Sequence, residues 1–135
     1  MPLRISRKHH DELLERAMAA GKRECCGLLL GRDTQVIELV PCANVAENPE
    51  QNFELDPVVL LAHHKAARDG GTPIIGYYHS HPNGLARPSV TDAEQAAADG
   101  RYWLIIAGDV VTAWKPIGEG TKVSGFESIP ILVEG

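Results

Sequence analysis

The 135 residues, 44% hydrophobic and 23% charged, have the size and balance of an ordinary globular domain; they argue against disorder and predict one hydrophobic core for residues 1–135. A net charge of −5, with 13 scattered Lys and Arg, disfavours nucleic acid as a partner, because phosphate binding draws on clustered cations. No stretch approaches the ~20 apolar residues of a membrane helix, and the basic start Met1–His10 lacks the apolar run of a secretory signal, so a cytoplasmic protein is expected. Three cysteines, two of them adjacent, read as reduced thiols rather than a disulfide framework.

In chain order, Ser6 is placed to cap a first helix running to about Ala20, with Leu13, Leu14, Ala17 and Met18 as its apolar stripe and Gly21 as its stop. Cys25 to Leu30 is a short apolar run that suits a buried strand, and Val36 to Pro41 reads as its partner across a turn at Asp33-Thr34-Gln35. A polar loop, Asn44 to Gln51, leads to a short extended piece around Phe53 and Leu55. Asp56-Pro57 then opens a second helix, with an acceptor at the cap and proline at the first helical position, reaching about Arg68 before Gly70-Gly71. Pro73 to His79 reads as a central strand broken by Pro82-Asn83-Gly84. Ser89 or Thr91 caps a third helix expected to continue through Ala98. Tyr102–Ala107 and Val110–Lys115 flank Gly108-Asp109, a hairpin signal, with weaker strands near Val123 and Ile131. The mixed order predicts an α+β domain, a largely antiparallel sheet with about three helices on its faces.

The chemistry concentrates in His79-Ser-His-Pro-Asn-Gly-Leu-Ala-Arg-Pro-Ser-Val-Thr-Asp92. Histidines at alternate positions of a strand end point to the same side, so both imidazoles can reach one ion. Ten residues separate His81 from Asp92, enough for a loop to fold back and bring a carboxylate to that ion. Two His and one carboxylate leave a fourth tetrahedral position open, the mark of a catalytic rather than a structural zinc site. Glu24, beside the first buried strand, is the candidate general base, and Ser89 the candidate hydrogen-bond donor to a developing oxyanion.

These residues carry a family resemblance. Glu24-Cys-Cys-Gly27, Gly76-Tyr-Tyr-His-Ser-His-Pro82 and Pro88-Ser-Val-Thr-Asp92 resemble the signature of the JAMM (MPN-plus) zinc metallopeptidases. Asn44, Pro49 and Phe53-x-Leu-Asp-Pro57 are similar to a stretch that bacterial members carry between these blocks. The resemblance implies a cytidine-deaminase-like mixed sheet between helices, one zinc held by His79, His81 and Asp92, Glu24 as acid/base and Ser89 as transition-state donor. It also implies a peptide or isopeptide bond as substrate, at the C-terminal tail of a ubiquitin-like sulfur carrier or in a peptide.

Other readings are weaker. Cys25 and Cys26 project to opposite faces and Cys42 belongs to no Cys-x-x-Cys, so all three read as small apolar groups. A base deaminase would need His-x-Glu and Pro-Cys-x-x-Cys, which are absent. His9, His10, His63 and His64 occupy helices as neighbours that share no face, Glu94 reads as solvated, and Trp103 and Trp114 as core. A non-catalytic scaffold of the same fold is the alternative, and the complete ligand set with its Glu counts against it. A role in DNA metabolism draws no support from the acidic balance.

Overall fold

The computed structural model describes residues 1–135. Its elements are β1 (Leu3–Ser6), α1 (Arg7–Ala20), β2 (Cys26–Arg32), β3 (Gln35–Cys42), α2 (Pro57–Arg68), β4 (Ile74–Ser80), α3 (Val90–Gln95), β5 (Tyr102–Ala107), β6 (Val110–Glu119), β7 (Lys122–Ile129) and β8 (Ile131–Glu134). All eight strands form one mixed sheet in the order β7-β6-β5-β4-β2-β3-β1-β8. Four of its seven pairings are antiparallel, and the β4–β5, β1–β3 and β1–β8 pairings are parallel.

The sheet is curled, for a topological reason. β7 and β8 are opposite edges of the strand order, yet only Pro130 separates them in the chain. Bringing Ile129 and Ile131 that close requires the two edges to approach each other, which leaves a concave face. α1 fills it: Leu13 is fully buried against Leu3, Ile5, Leu29, Tyr78, Leu104 and Ile106, with Leu14 and Ala17 beside it. The cap is as expected, Ser6 Oγ accepting from the His9 amide at 3.1 Å, and Gly21 ends the helix at a φ of 62°. On the other face Leu28, Leu30 and Ile74 pack against Leu55 and Leu60 below α2.

The site lies where β2 and β4 run side by side. They are antiparallel, with Cys26 opposite His79 and Gly27 opposite Tyr78. The Tyr78 ring lies directly over Gly27, where any Cβ would collide with it and with the Val40 carbonyl oxygen. Glycine is therefore what lets this large residue be fully buried.

Three expectations need correction. The third helix was expected through Ala98 but stops at Gln95: Ala96 is already extended, at φ −78° and ψ 158°, and the Ala98 amide donates to the Gly120 carbonyl at 2.9 Å. That tertiary bond outweighs the helix preference of three consecutive alanines. β1 was not anticipated, because two alternating apolar residues give too short a signal. β6 extends past Lys115 to Glu119, pairing there only with β7, and Pro116 sits in this one-sided stretch where a proline is tolerated.

Candidate active site

Glu24 and Cys25 immediately precede β2, level with the end of β4. Two reciprocal bonds clamp these chain ends: the Cys25 amide donates to Ser80 Oγ at 2.8 Å, and the Ser80 amide to the Cys25 carbonyl at 3.0 Å. The Glu24 amide donates to Pro49 at 2.7 Å, and Asn44 Nδ2 donates to the Glu24 carbonyl at 2.9 Å. Strand pairing and loop thus fix the backbone of Glu24 while its side chain stays free to act.

His79 and His81 project to one side, their Nε2 atoms 3.0 Å apart. After Pro82 the chain loops away and returns at α3, where Ser89 and Asp92 form a capping box: the Asp92 amide donates to Ser89 Oγ at 3.0 Å and the Ser89 amide to Asp92 Oδ2 at 2.9 Å. The box aims the Asp92 carboxylate back at the histidines, with Oδ1 at 3.1 Å from His79 Nε2 and Oδ2 at 3.0 Å from His81 Nε2. Glu24 completes the group, one of its oxygens lying within 4.8 Å of a nitrogen on each histidine. All four residues are at most 5% exposed.

This donor set fits a cation. Tetrahedral ligands at ~2.0–2.1 Å from an ion lie about 3.3 Å from one another, close to the 3.0 Å and 3.1 Å separations here. Two imidazole nitrogens facing each other at 3.0 Å are spaced to share either one N–H···N hydrogen bond or a metal ion held between two lone pairs. His81 Nδ1 lies 2.7 Å from the Leu85 carbonyl oxygen, which only accepts; Nδ1 therefore carries the proton, and Nε2 of the neutral ring presents its lone pair.

The two carboxylates have opposite electrostatics. Burial pushes Glu24 up to about 7; His81 opposes the rise and Asp92 adds to it. Burial also works against charge on Asp92, but the adjoining His79 and His81 rings and the Ser89 amide outweigh it and hold this carboxyl well below the usual range. Burial lowers His79 and outweighs Asp92, whereas at His81 burial is overcome by Asp92 and the Leu85 carbonyl and the pKa rises. Glu24 Oε1 has no hydrogen-bond partner although it is buried.

The structure therefore brings Glu24, His79, His81 and Asp92 together and sets Ser89 beside them through the cap. Because Ser89 Oγ accepts the Asp92 amide, its own proton remains available to donate elsewhere. Cys26 is buried beside Phe53 and Cys25 packs toward the α1 core, on opposite faces as alternation requires. His9, His10, His63 and His64 lie on α1 and α2, away from the cluster, and Glu94 is exposed. Trp103 is buried and Trp114, its cross-strand partner, half-buried. Sequence reasoning missed the clamp made by Ser80 and the stacking of Phe53 on the His79 ring, centroids 4.3 Å apart at 21°. The Asn44–Phe53 stretch did stand out, but nothing local says what a loop aromatic will touch.

A curled mixed sheet with an acid–histidine cluster at the end of a central strand defines a JAB/MPN-type hydrolase domain. An Archaeoglobus fulgidus JAB1/MPN domain protein superposes with a TM-score of 0.60 at 19% identity, covering 97% of this chain and 98% of that one, so the fold is shared. The family model for prokaryotic homologs of the JAB domain matches residues 6–117, and the chain belongs to that family. A desampylase of Haloferax volcanii is 35% identical over 79% of this chain and 81% of its own length. A probable TtuB-protein conjugate cleaving protease of Thermus thermophilus is 33% identical over 84% and 75%, respectively.

Proposed function

We propose that this chain hydrolyses amide bonds at the C-terminal tail of a ubiquitin-like carrier protein, isopeptide conjugates included, with zinc held by His79, His81 and Asp92. The observation that carries the reading is the convergence of two imidazole nitrogens and a carboxylate at 3.0–3.1 Å, with a second, unpartnered carboxyl beside them. The names of the two relatives support the substrate class, since one is a desampylase and the other a conjugate cleaving protease.

When bound, zinc supplies Lewis acidity, polarising the scissile carbonyl and making water more acidic. The residues do the rest. Glu24 takes a proton from the attacking water and delivers it to the leaving nitrogen as the C–O bond forms and the C–N bond breaks. Burial has moved its pKa toward neutrality, where one group serves as base and then as acid. Asp92 stays ionised throughout, so it holds position and exchanges no proton. Ser89 turns its free hydroxyl proton toward the oxygen that gains charge. Ser80 and the β2–β4 pairing hold Glu24 level with the histidines.

The test is incubation of the purified chain with ubiquitin-like proteins extended past, or conjugated through, a C-terminal Gly-Gly, read by intact mass. The expected result is release of the extension or the conjugated amine, abolished by a chelator and restored by zinc. A zinc-loaded chain that leaves every member of such a panel uncut would instead favour a non-catalytic scaffold.

A further inference from the structure

The two histidines are oriented by different means. His81 has a hydrogen-bonded anchor on Nδ1, the Leu85 carbonyl at 2.7 Å, and Asn83 steadies that turn by accepting the Leu85 amide at 2.9 Å. His79 is fully buried and its Nδ1 has no partner. A metal-ligating histidine is usually fixed by a hydrogen bond on its second nitrogen. His79 lacks one, and its χ2 torsion is intrinsically broad. What surrounds the ring is aromatic: Phe53 lies face to face with it at 4.3 Å and 21°, and Trp103 stands perpendicular to it at 5.5 Å and 86°. Phe53 and Trp103 are in edge contact at 5.6 Å, which braces the stack from outside.

Trp103 sits in the middle of the sheet, but Phe53 comes from a loop with no regular structure of its own. One side chain, together with the backbone bridge between Asn44 and Leu55, organises that loop. Asn44 Nδ2 donates to the carbonyls of Glu24 at 2.9 Å and Asn52 at 3.0 Å, while its Oδ1 accepts the amides of Ala46 and Glu54, both at 3.1 Å. Asn52 and Glu54 flank Phe53, so Asn44 grips the aromatic residue from both sides and ties it to the backbone of Glu24. We propose that Phe53 is the positioning residue for His79, fixing its ring plane by stacking in place of a hydrogen bond, and that Asn44 sets Phe53 and Glu24 in register with each other. The stack fixes the plane, and Asp92 at 3.1 Å selects the edge that faces the site.

The inference rests on His79 being a zinc ligand, and the test separates the two. Zinc affinity of the purified chain is measured by competition with a coloured chelator, alongside the visible spectrum of the cobalt-loaded chain. Phe53→Leu keeps apolar bulk but removes the stacked ring; its zinc affinity is expected to fall ~10–100-fold, the usual worth of an orienting partner, with altered cobalt bands. Phe53→Tyr restores the stacked ring beside a groove of about 450 Å³ that Phe53 lines; it is expected within ~3-fold of the parent. Asn44→Asp, which loses both donated bonds but keeps Oδ1, is expected to fall between the two, and it decides the matter should Phe53→Leu not fold. If folded Phe53→Leu binds zinc as the parent does, if Phe53→Tyr is impaired as severely as the leucine variant, or if Asn44→Asp is indistinguishable from the parent, the proposal is wrong. If His79→Ala also leaves zinc binding unchanged, the failure lies in the ligand assignment itself.

Discussion

Glu24 and Asp92 are both buried carboxylates within reach of the same two histidines, yet their surroundings drive them apart. Asp92 sits in the first turn of α3 with an amide donor and two imidazoles on its oxygens, so its charge is compensated on every side. Glu24 is fixed only by its backbone, and one carboxyl oxygen meets no partner at all. The same physics, loss of hydration, acts on both; hydrogen bonds decide the outcome. On the proposed function the compensated carboxylate is the fixed ligand, and the uncompensated one near neutrality is the group that exchanges protons. That reading gives two acids in one pocket different roles without a difference in chemistry.

The comparison can be broken at five points. Asp92→Asn removes the compensated charge and leaves two histidines facing each other; turnover of a cleavable carrier conjugate should drop at least ~10⁴-fold, below detection in a gel or mass assay. Glu24→Gln should cost ~10²–10⁴ in kcat, the worth of a general base. In the parent, kcat/KM should decline on the acid side, with a midpoint at or below about 7, because Glu24 must be ionised to act and a nearby cation favours its ionised form. A rate with no decline on the acid side would contradict the assignment. Ser89→Ala should lower kcat ~10²-fold if the hydroxyl meets the oxyanion, whereas loss of the cap alone would show chiefly as ~1 kcal/mol of stability; steady-state kinetics and a urea melt on the same sample separate the two.

The fifth effect is on stability and has the opposite sign. Glu24 has a folded pKa of about 7 against an ordinary 4.5, so the fold prefers its protonated form. The stability this contributes is complete below 4.5 and is lost as pH rises through 7. In chelator-treated protein at pH 8, Glu24→Gln should therefore be more stable than the parent by about 3 kcal/mol, and equal to it near pH 4. Denaturation at the two pH values checks both halves. Equal stability at pH 8 would mean that Glu24 has a partner the structure does not give it.

Much of this site was legible because its signals are local. His79-x-His81 alternation, Pro82 as a breaker and a helix cap at Ser89 or Thr91 each depend on a few neighbouring residues; the structure chooses Ser89 and adds the reciprocal bond to Asp92 that makes a capping box. Asp56-Pro57 and Gly108-Asp109 were readable for the same reason. What escaped depends on distant partners. β1 exists because β3 and β8 flank Leu3 and Ile5, and α3 stops at Gln95 where a bond from Ala98 to the turn at Gly120 captures the chain. The curl of the sheet follows from pairings far apart in sequence. The stacking of Phe53 on His79 joins residues 26 positions apart through a loop that no periodicity describes.

The most direct test of the account is elemental analysis of Glu24→Gln and Asp92→Asn, purified side by side and brought to equilibrium with the same limiting zinc. Glu24→Gln should hold about one zinc per chain, as the parent does, and Asp92→Asn close to none. Should both variants lose the metal alike, Glu24 would be a ligand rather than a base, and the division of labour between the two acids would be wrong.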